Sequence, residues 1–288
     1  MSGNDRELQR GDSPGRRLAA RRFAAAAGET LLVLFGLIFL FPGLLTFFNS
    51  FKTNAEIKLS PLQPPTHLGI ANYVEAWKEM EFPAVLANTF ILTGLSTFGI
   101  ILISAMAAYA LVRYKWRITW ILFLLFTFSM VVPFQAIMVP LFANAKNMGL
   151  LSVPGLVPIY IGLGCPLAIF MFHGFIKGVP REIEESAAID GASPLRCFFQ
   201  IVLPLTTPVI GTVAILDVLW IWNDFLLPLL MIPGRTLQLA QYRFVGVYRQ
   251  EYHLAMASLV LTASPVVLFY LFMQRYIIKG ISAGAIKG

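Results

Sequence analysis

Residues 82–112 read FPAVLANTFILTGLSTFGIILISAMAAYALV, and no charged side chain occurs among them. A helix needs about 20 largely apolar residues to cross the hydrocarbon core of a bilayer, and this stretch exceeds that length, with a span expected over roughly 86–112. Working outward, five further segments meet the same test, roughly 24–48, 118–142, 153–175, 206–231 and 254–277. The fifth in chain order is the least regular, because Asp217 and Asp224 interrupt it. Pro133, Pro166 and Pro208 fall inside expected spans, where neighbouring helices re-satisfy freed carbonyls and kinks are tolerated. The expected fold is all-α, a polytopic membrane bundle of six transmembrane helices.

Composition agrees. The chain has 288 residues, 57% hydrophobic and 13% charged, with a mean hydropathy of +0.73. Soluble domains carry about 25% charged residues, so this chain has too little polar surface to coat a water-facing globule. The net charge of +7 does not mark a nucleic-acid partner, because its basic residues are dispersed in short segments between the apolar runs. That dispersal sets orientation. With the amino terminus in the cytoplasm, fifteen of the 22 Lys and Arg fall on the inner side and both termini lie inside. The organisation expected is a cytoplasmic tail over residues 1–23, one six-span domain over 24–278 and a cytoplasmic tail over 279–288. Arg16, Arg17, Arg21 and Arg22 precede an apolar run too long for a cleaved signal, which reads as an anchor that stays. Cys165 and Cys197 are too few and too distant for a disulfide framework and read as small apolar residues. His67, His173 and His253 lack metal-ligand spacing.

On the outer side, residues 71–80, with Tyr73, Val74 and Trp77, suggest an amphipathic helix at the membrane surface. On the inner side, residues 176–205 form a long loop with strong local helix signals. Pro180 suits a first helical position, and Glu182, Glu184 and Glu185 complement the positive end of a helix dipole. Gly191 is a natural stop, and Ser193-Pro194 restarts a helix expected over 195–202. The outcome is a helix, a glycine turn and a second helix. Both ends are tied to spans and the first helix is acidic, which disfavours the DNA-binding version of that pattern. A bland connecting loop fits the same composition.

Glu185-Ser186-Ala187, then Gly191, Ile201 and Leu203-Pro204, resemble the "EAA" loop of binding-protein-dependent ABC importer permeases. That pattern is E-A-A, three residues, G, nine residues, I, one residue, L-P. The sequence keeps every spacing and departs only at Ser186. From Thr30 onward the chain also resembles the maltose-type carbohydrate permeases, at Val132-Pro133, Pro140-Leu141-Phe142, Trp222-Asn223-Asp224-Phe225 and the carboxy-terminal Gly284-Ala285-Ile286-Lys287-Gly288. The resemblance implies the six-span partner subunit of a complex in the bacterial inner membrane. Two permeases, two ATP-hydrolysing subunits and an external sugar-binding protein make up such a complex. It further implies that the loop docks into the ATPase subunit. Glu184, Glu185, Ser186, Ala187, Asp190, Gly191, Ala192, Ile201, Leu203 and Pro204 then form the coupling segment, and Lys287 and Gly288 touch the ATPase. ATP and Mg would sit on those partners, with no cofactor on this chain. The sequence contains no G-x-x-x-x-G-K-[ST] phosphate cradle, so no hydrolysis is expected of it. Residues 233–253 are implied to reach the docked binding protein.

A carboxylate at membrane depth costs at least ~2.5 kcal/mol on insertion scales and should face a cavity or a partner. Gln135, Asp217, Trp222, Asn223 and Asp224 are therefore candidates for the translocation path. The alternative is that Asp224 is solvated near the outer interface beside an interfacial Trp222. A proton-coupled transporter relaying through Asp217 and Asp224 is the rival function. The absence of visible inverted repeats stands against it.

Overall fold

The computed structural model describes residues 14–245 and 250–285. Among these every regular element is helical, and the one β-bridge, Val245 to Gln250, lies outside any strand. The first helix, α1 (Pro14–Asn49), is followed by two short helices, α2 (Asn54–Leu59) and α3 (Ala71–Glu79). The uncharged run becomes α4 (Phe82–Arg113). Next come α5 (Arg117–Ser129), α6 (Phe134–Asn147) and α7 (Val153–Lys177). The loop at 176–205 supplies α8 (Glu182–Ile189), α9 (Pro194–Cys197), a π-turn at Phe198–Val202 and α10 (Leu203–Leu205). The chain ends with α11 (Thr207–Asn223), α12 (Leu226–Met231), α13 (Leu237–Gln241) and α14 (Tyr252–Ala285).

Among the described residues three helices are individually long and apolar enough to span, over Ala25–Asn49, Phe82–Arg113 and Val153–Lys177. α14 supplies another apolar stretch over Tyr252–Leu268. The remaining two expected spans are not continuous helices. The segment expected at 118–142 breaks between α5 and α6, which meet at 103°. Pro133 causes this: it lacks an N–H, it forces its predecessor out of the helical region, and it serves as the N-cap residue of α6. The segment expected at 206–231 stops at Asn223, takes extended backbone at Asp224 and restarts as α12. Pro208 lies in the first turn of α11 rather than inside it, and Pro204–Thr207 marks a 75° bend between the loop and that helix. Pro158 and Pro166 stay inside α7 without ending it.

The core forms where α4 packs along α7, the most extensive pairing in the chain. Small side chains permit it. Ser96, Ser104, Ala105 and Ala108 on α4 and Gly164 and Ala168 on α7 are all buried, at the spacing that lets helix backbones approach in lipid. Tyr160, Phe172 and Ile176 fill the gaps beside them. A second cluster lies outside this core. There Ala76 and Met80 of the α3 region pack on Phe82, Trp222, Leu237, Phe244 and Leu254. The expected amphipathic helix is therefore present as α3, seated on α14. Lys52 is 2% exposed and donates to the carbonyls of Ser60 and Pro61, so the chain entering this outer layer is tied down.

Gly155, in the first turn of α7, sits so close to the preceding turn that an added Cβ would lie 2.3 Å from the Leu150 carbonyl oxygen. Backbone cannot yield as a side chain end can. Gly155→Ala should cost about 1–3 kcal/mol, read as a lower melting temperature in detergent. Gly174→Ala, in the same helix with nothing within 4 Å, should leave stability unchanged or raise it by up to about 1 kcal/mol.

Candidate functional site

The inner loop is built from locally satisfied turns. Glu182, Glu184 and Glu185 occupy the first turn of α8, where their charge opposes unpaired backbone N–H groups. The helix starts at Glu182, with Arg181 in the cap position, so Pro180 precedes the helix rather than opening it. Its end is a Schellman turn. Gly191 has φ +82 and donates to the Ala188 carbonyl at 3.0 Å, and Ala192 donates to the Ala187 carbonyl at 3.0 Å. Ser193 then accepts from the Arg196 amide at 3.3 Å as the cap of α9. The second helix is ordinary only over Pro194–Cys197 and widens to a π-turn before Leu203, so the regular helix expected over 195–202 is interrupted. Ser186 Oγ closes back on the Glu182 carbonyl at 2.8 Å.

The motif residues divide by direction. Glu185, Ser186, Asp190, Gly191 and Pro204 are exposed, while Ala187, Ala192, Ile201 and Leu203 are half-buried. Ile189 is 87% exposed at the tip, with Leu195 and Phe199 exposed nearby in sequence. Glu184 points the other way, into the bundle. Tyr109 Oη donates to its Oε2 at 2.9 Å and Arg113 Nε donates to its Oε1 at 2.7 Å. Arg113 also donates to the Val179 carbonyl at 3.1 Å, and Arg181 donates to the carbonyl of Arg113. The ion-paired side chains are 10% and 12% exposed, so removing one partner leaves a desolvated charge, at about 3–5 kcal/mol. Sequence reading missed Tyr109 and Arg113. The available signal was Arg113 itself, the first charge after a long uncharged run. Cys197 is buried beside this group, and burial pushes its thiol above the ordinary range, as suits an unreactive packing residue.

The two broken spans face each other across a cavity of about 720 Å3. Gln135, at the start of α6, and Asp224, at the end of α11, both line it, together with Trp220 and Gly162. Asp224 is held from two sides. Its Oδ1 accepts from the Leu226 amide at 3.0 Å, which starts α12, and its Oδ2 accepts from Tyr160 Oη at 2.8 Å. Trp220 stands edge-on to the Tyr160 ring, with centroids 5.5 Å apart. The carboxylate is thereby oriented rather than freely solvated.

The other candidates lie elsewhere. Trp222 is buried against Phe90, ring centroids 5.0 Å apart, and borders a separate apolar cavity with Thr93 and Pro265. Asn223 donates to the Leu219 carbonyl at 2.7 Å and borders a third cavity with Gln238 and Gln241. Asp217 is buried in the interior, and its Oδ2 has no hydrogen-bond partner among the described residues. Of the five residues expected to share a path, Gln135 and Asp224 line one cavity, Trp222 and Asn223 line another, and Asp217 is buried apart from both. Lys287 and Gly288, expected to touch a partner, lie outside the described residues, as do Tyr248 and Arg249 of the outer segment.

Residues 99–283 match the family described as binding-protein-dependent transport system inner membrane component. The chain is 39% identical over 258 residues, 88% of its length and 94% of the relative's, to a probable starch degradation products transport system permease protein of Thermoanaerobacterium thermosulfurigenes. It is 33% identical, over 93% of its length and 90% of the relative's, to a diacetylchitobiose uptake system permease protein of Streptomyces coelicolor. Its fold superposes with a TM-score of 0.76 and 22% identity on a chain of a bacterial ABC transporter involved in alginate import, covering 89% of this chain and 97% of that one. The helical bundle, its apolar spans and the inner loop accordingly belong to a multi-pass membrane protein, and the chain is a member of the binding-protein-dependent transport system inner membrane components.

Proposed function

We propose that the chain is one of two permease subunits of an ATP-driven importer for a sugar or sugar derivative. An external binding protein delivers the sugar, and two separate subunits bind ATP with Mg and hydrolyse it. Both termini and the loop at 176–205 lie in the cytoplasm. The observation that carries this reading is the α8–α9 loop: an exposed acidic and apolar tip closed by a Schellman turn at Gly191. A self-capped turn holds its shape without a partner, so a groove on another subunit meets a formed surface, and little ordering entropy opposes docking. Relatives named for starch degradation products, diacetylchitobiose and multiple sugars support the sugar assignment.

ATP binding supplies the differential affinity that moves such a bundle between inward-open and outward-open states. In this chain the loop receives that push, and Gln135 and Asp224 are the polar groups that the largely apolar cavity offers to the passing solute. A carboxylate fixed by Tyr160 and Leu226 keeps acceptor capacity free for hydroxyl groups.

Two measurements test this. Tagged wild-type chain purified from its native host should bring down a second permease and an ATPase subunit, and Gly191→Arg should lose the ATPase or at least tenfold of the ATP-dependent uptake. A β-carbon at φ +82 strains the turn by about 1–2 kcal/mol, and the long cation blocks approach. A chain that purifies alone and follows the proton gradient overturns the importer reading. Within the path, Gln135→Leu and Asp224→Asn should each lower the maximal uptake rate several-fold, whereas Asn223→Ala, facing away, should stay within about twofold of wild type.

A further inference from the structure

The inner loop and the outer segment are gripped by opposite ends of one helix. At the inner end of α4, Tyr109 and Arg113, one turn apart on the same face, both hold Glu184 of α8. Two donors from successive turns fix α8 against both sliding and rotation, and the pair is nearly desolvated. At the outer end, Asn88 Nδ2 donates to the Arg235 carbonyl at 3.0 Å, and Thr89 Oγ1 accepts from the Leu237 amide at 3.1 Å. Those contacts hold the start of α13, whose Gln238 in turn donates to the Trp222 carbonyl. From Asn88 to Arg113 the helix runs about 38 Å at 1.5 Å per residue.

No proline lies between the two grips. α1 carries Pro42 inside it, α7 carries Pro158 and Pro166, and α14 carries Pro265. α4 has proline only in its first turn. Sharp kinks in long helices arise mostly at proline, so α4 is the one span-length helix built to move as a unit. The covalent routes out of α8 are softer. One runs through the turn at Gly178–Arg181, the other through the π-turn and the 75° bend before α11. A displacement of α8 therefore reaches the outer layer most directly through side chains on α4.

We propose that α4 is the rod that carries movement of the cytoplasmic loop to the outer segment at 233–244, with Tyr109 and Arg113 as its inner grip and Asn88 and Thr89 as its outer one. This rests on the importer reading. It adds the route and four positioning residues, none of which lies in the docking motif or in the path.

The test uses the co-purified complex in proteoliposomes. Tyr242, 60% exposed on the outer segment, is replaced by Cys and labelled with an environment-sensitive fluorophore; Cys165 and Cys197 are buried and do not compete. ATP added on the cytoplasmic side should change the label's emission in the otherwise wild-type complex. Arg113→Glu should reduce that change at least fivefold per complex retaining the ATPase subunit. Combining Arg113→Glu with Glu184→Arg should restore more than half of it. Asn88→Ala with Thr89→Val, about 38 Å from the loop, should abolish the response while the ATPase subunit stays bound. A merely structural role would lower assembly and melting temperature but leave the response per assembled complex intact. Full response in assembled Arg113→Glu complexes overturns the rod alone. A wild-type complex whose label ignores ATP overturns the importer reading and the rod with it.

Discussion

A backbone carbonyl or amide in hydrocarbon finds no water, and leaving it unpaired costs several kcal/mol. Helix breaks at membrane depth are therefore tolerable only where protein or a water-filled cavity surrounds them. Both breaks in this chain obey that constraint together. The α5–α6 elbow and the α11–α12 break border the same cavity, with Gln135 on one side and Asp224 on the other. Asp224 repairs its own break by accepting from the Leu226 amide, which would otherwise be an unpaired donor at the start of α12. Asp224 thus satisfies a freed backbone group and lines the cavity with the same carboxylate.

The inner loop answers the same accounting with different means. Its tip is exposed, yet its turns are closed internally by Gly191, Ser193 and Ser186. Glu185, Asp190 and Ile189 stay exposed at the tip. Glu184, one residue before Glu185, has the opposite fate because adjacent residues on a helix are about 100° apart. One carboxylate anchors the loop while the next is presented.

Local signals were legible and non-local ones were not. The span expected over 86–112 falls within α4, starting four residues late and ending one residue early, because length and apolarity alone decide a span. Gly191 and Ser193 marked the loop turns because capping is written within four residues. The break near Pro133 was read as a tolerated kink, since proline inside α7 and proline that ends a helix look alike without neighbours. The Arg113–Glu184 pair joins positions 71 apart, which no periodicity links. Trp222, Asn223 and Asp224 were grouped because they are adjacent. Two helical residues apart is about 200° of rotation, so Trp222 and Asp224 face different cavities, and Trp220, one turn before Asp224, is the tryptophan that shares its cavity.

The pattern of prolines separates compliant from rigid parts of the bundle. Pro133 lets the chain form the elbow on which the cavity depends, and Pro158 and Pro166 leave α7 able to bend where Gly162 and Pro166 face that cavity. α4 keeps an unbroken hydrogen-bond ladder through the same depth and packs on α7 through Gly164, where an added Cβ would lie 2.5 Å from Ile100. Close small-residue packing of this kind allows rigid-body rocking but resists independent bending of the two helices, since any separation forfeits many dispersion contacts at once. Bending in the bundle is then concentrated at the broken helices and the loop, while α4 and α7 move together as one rigid body.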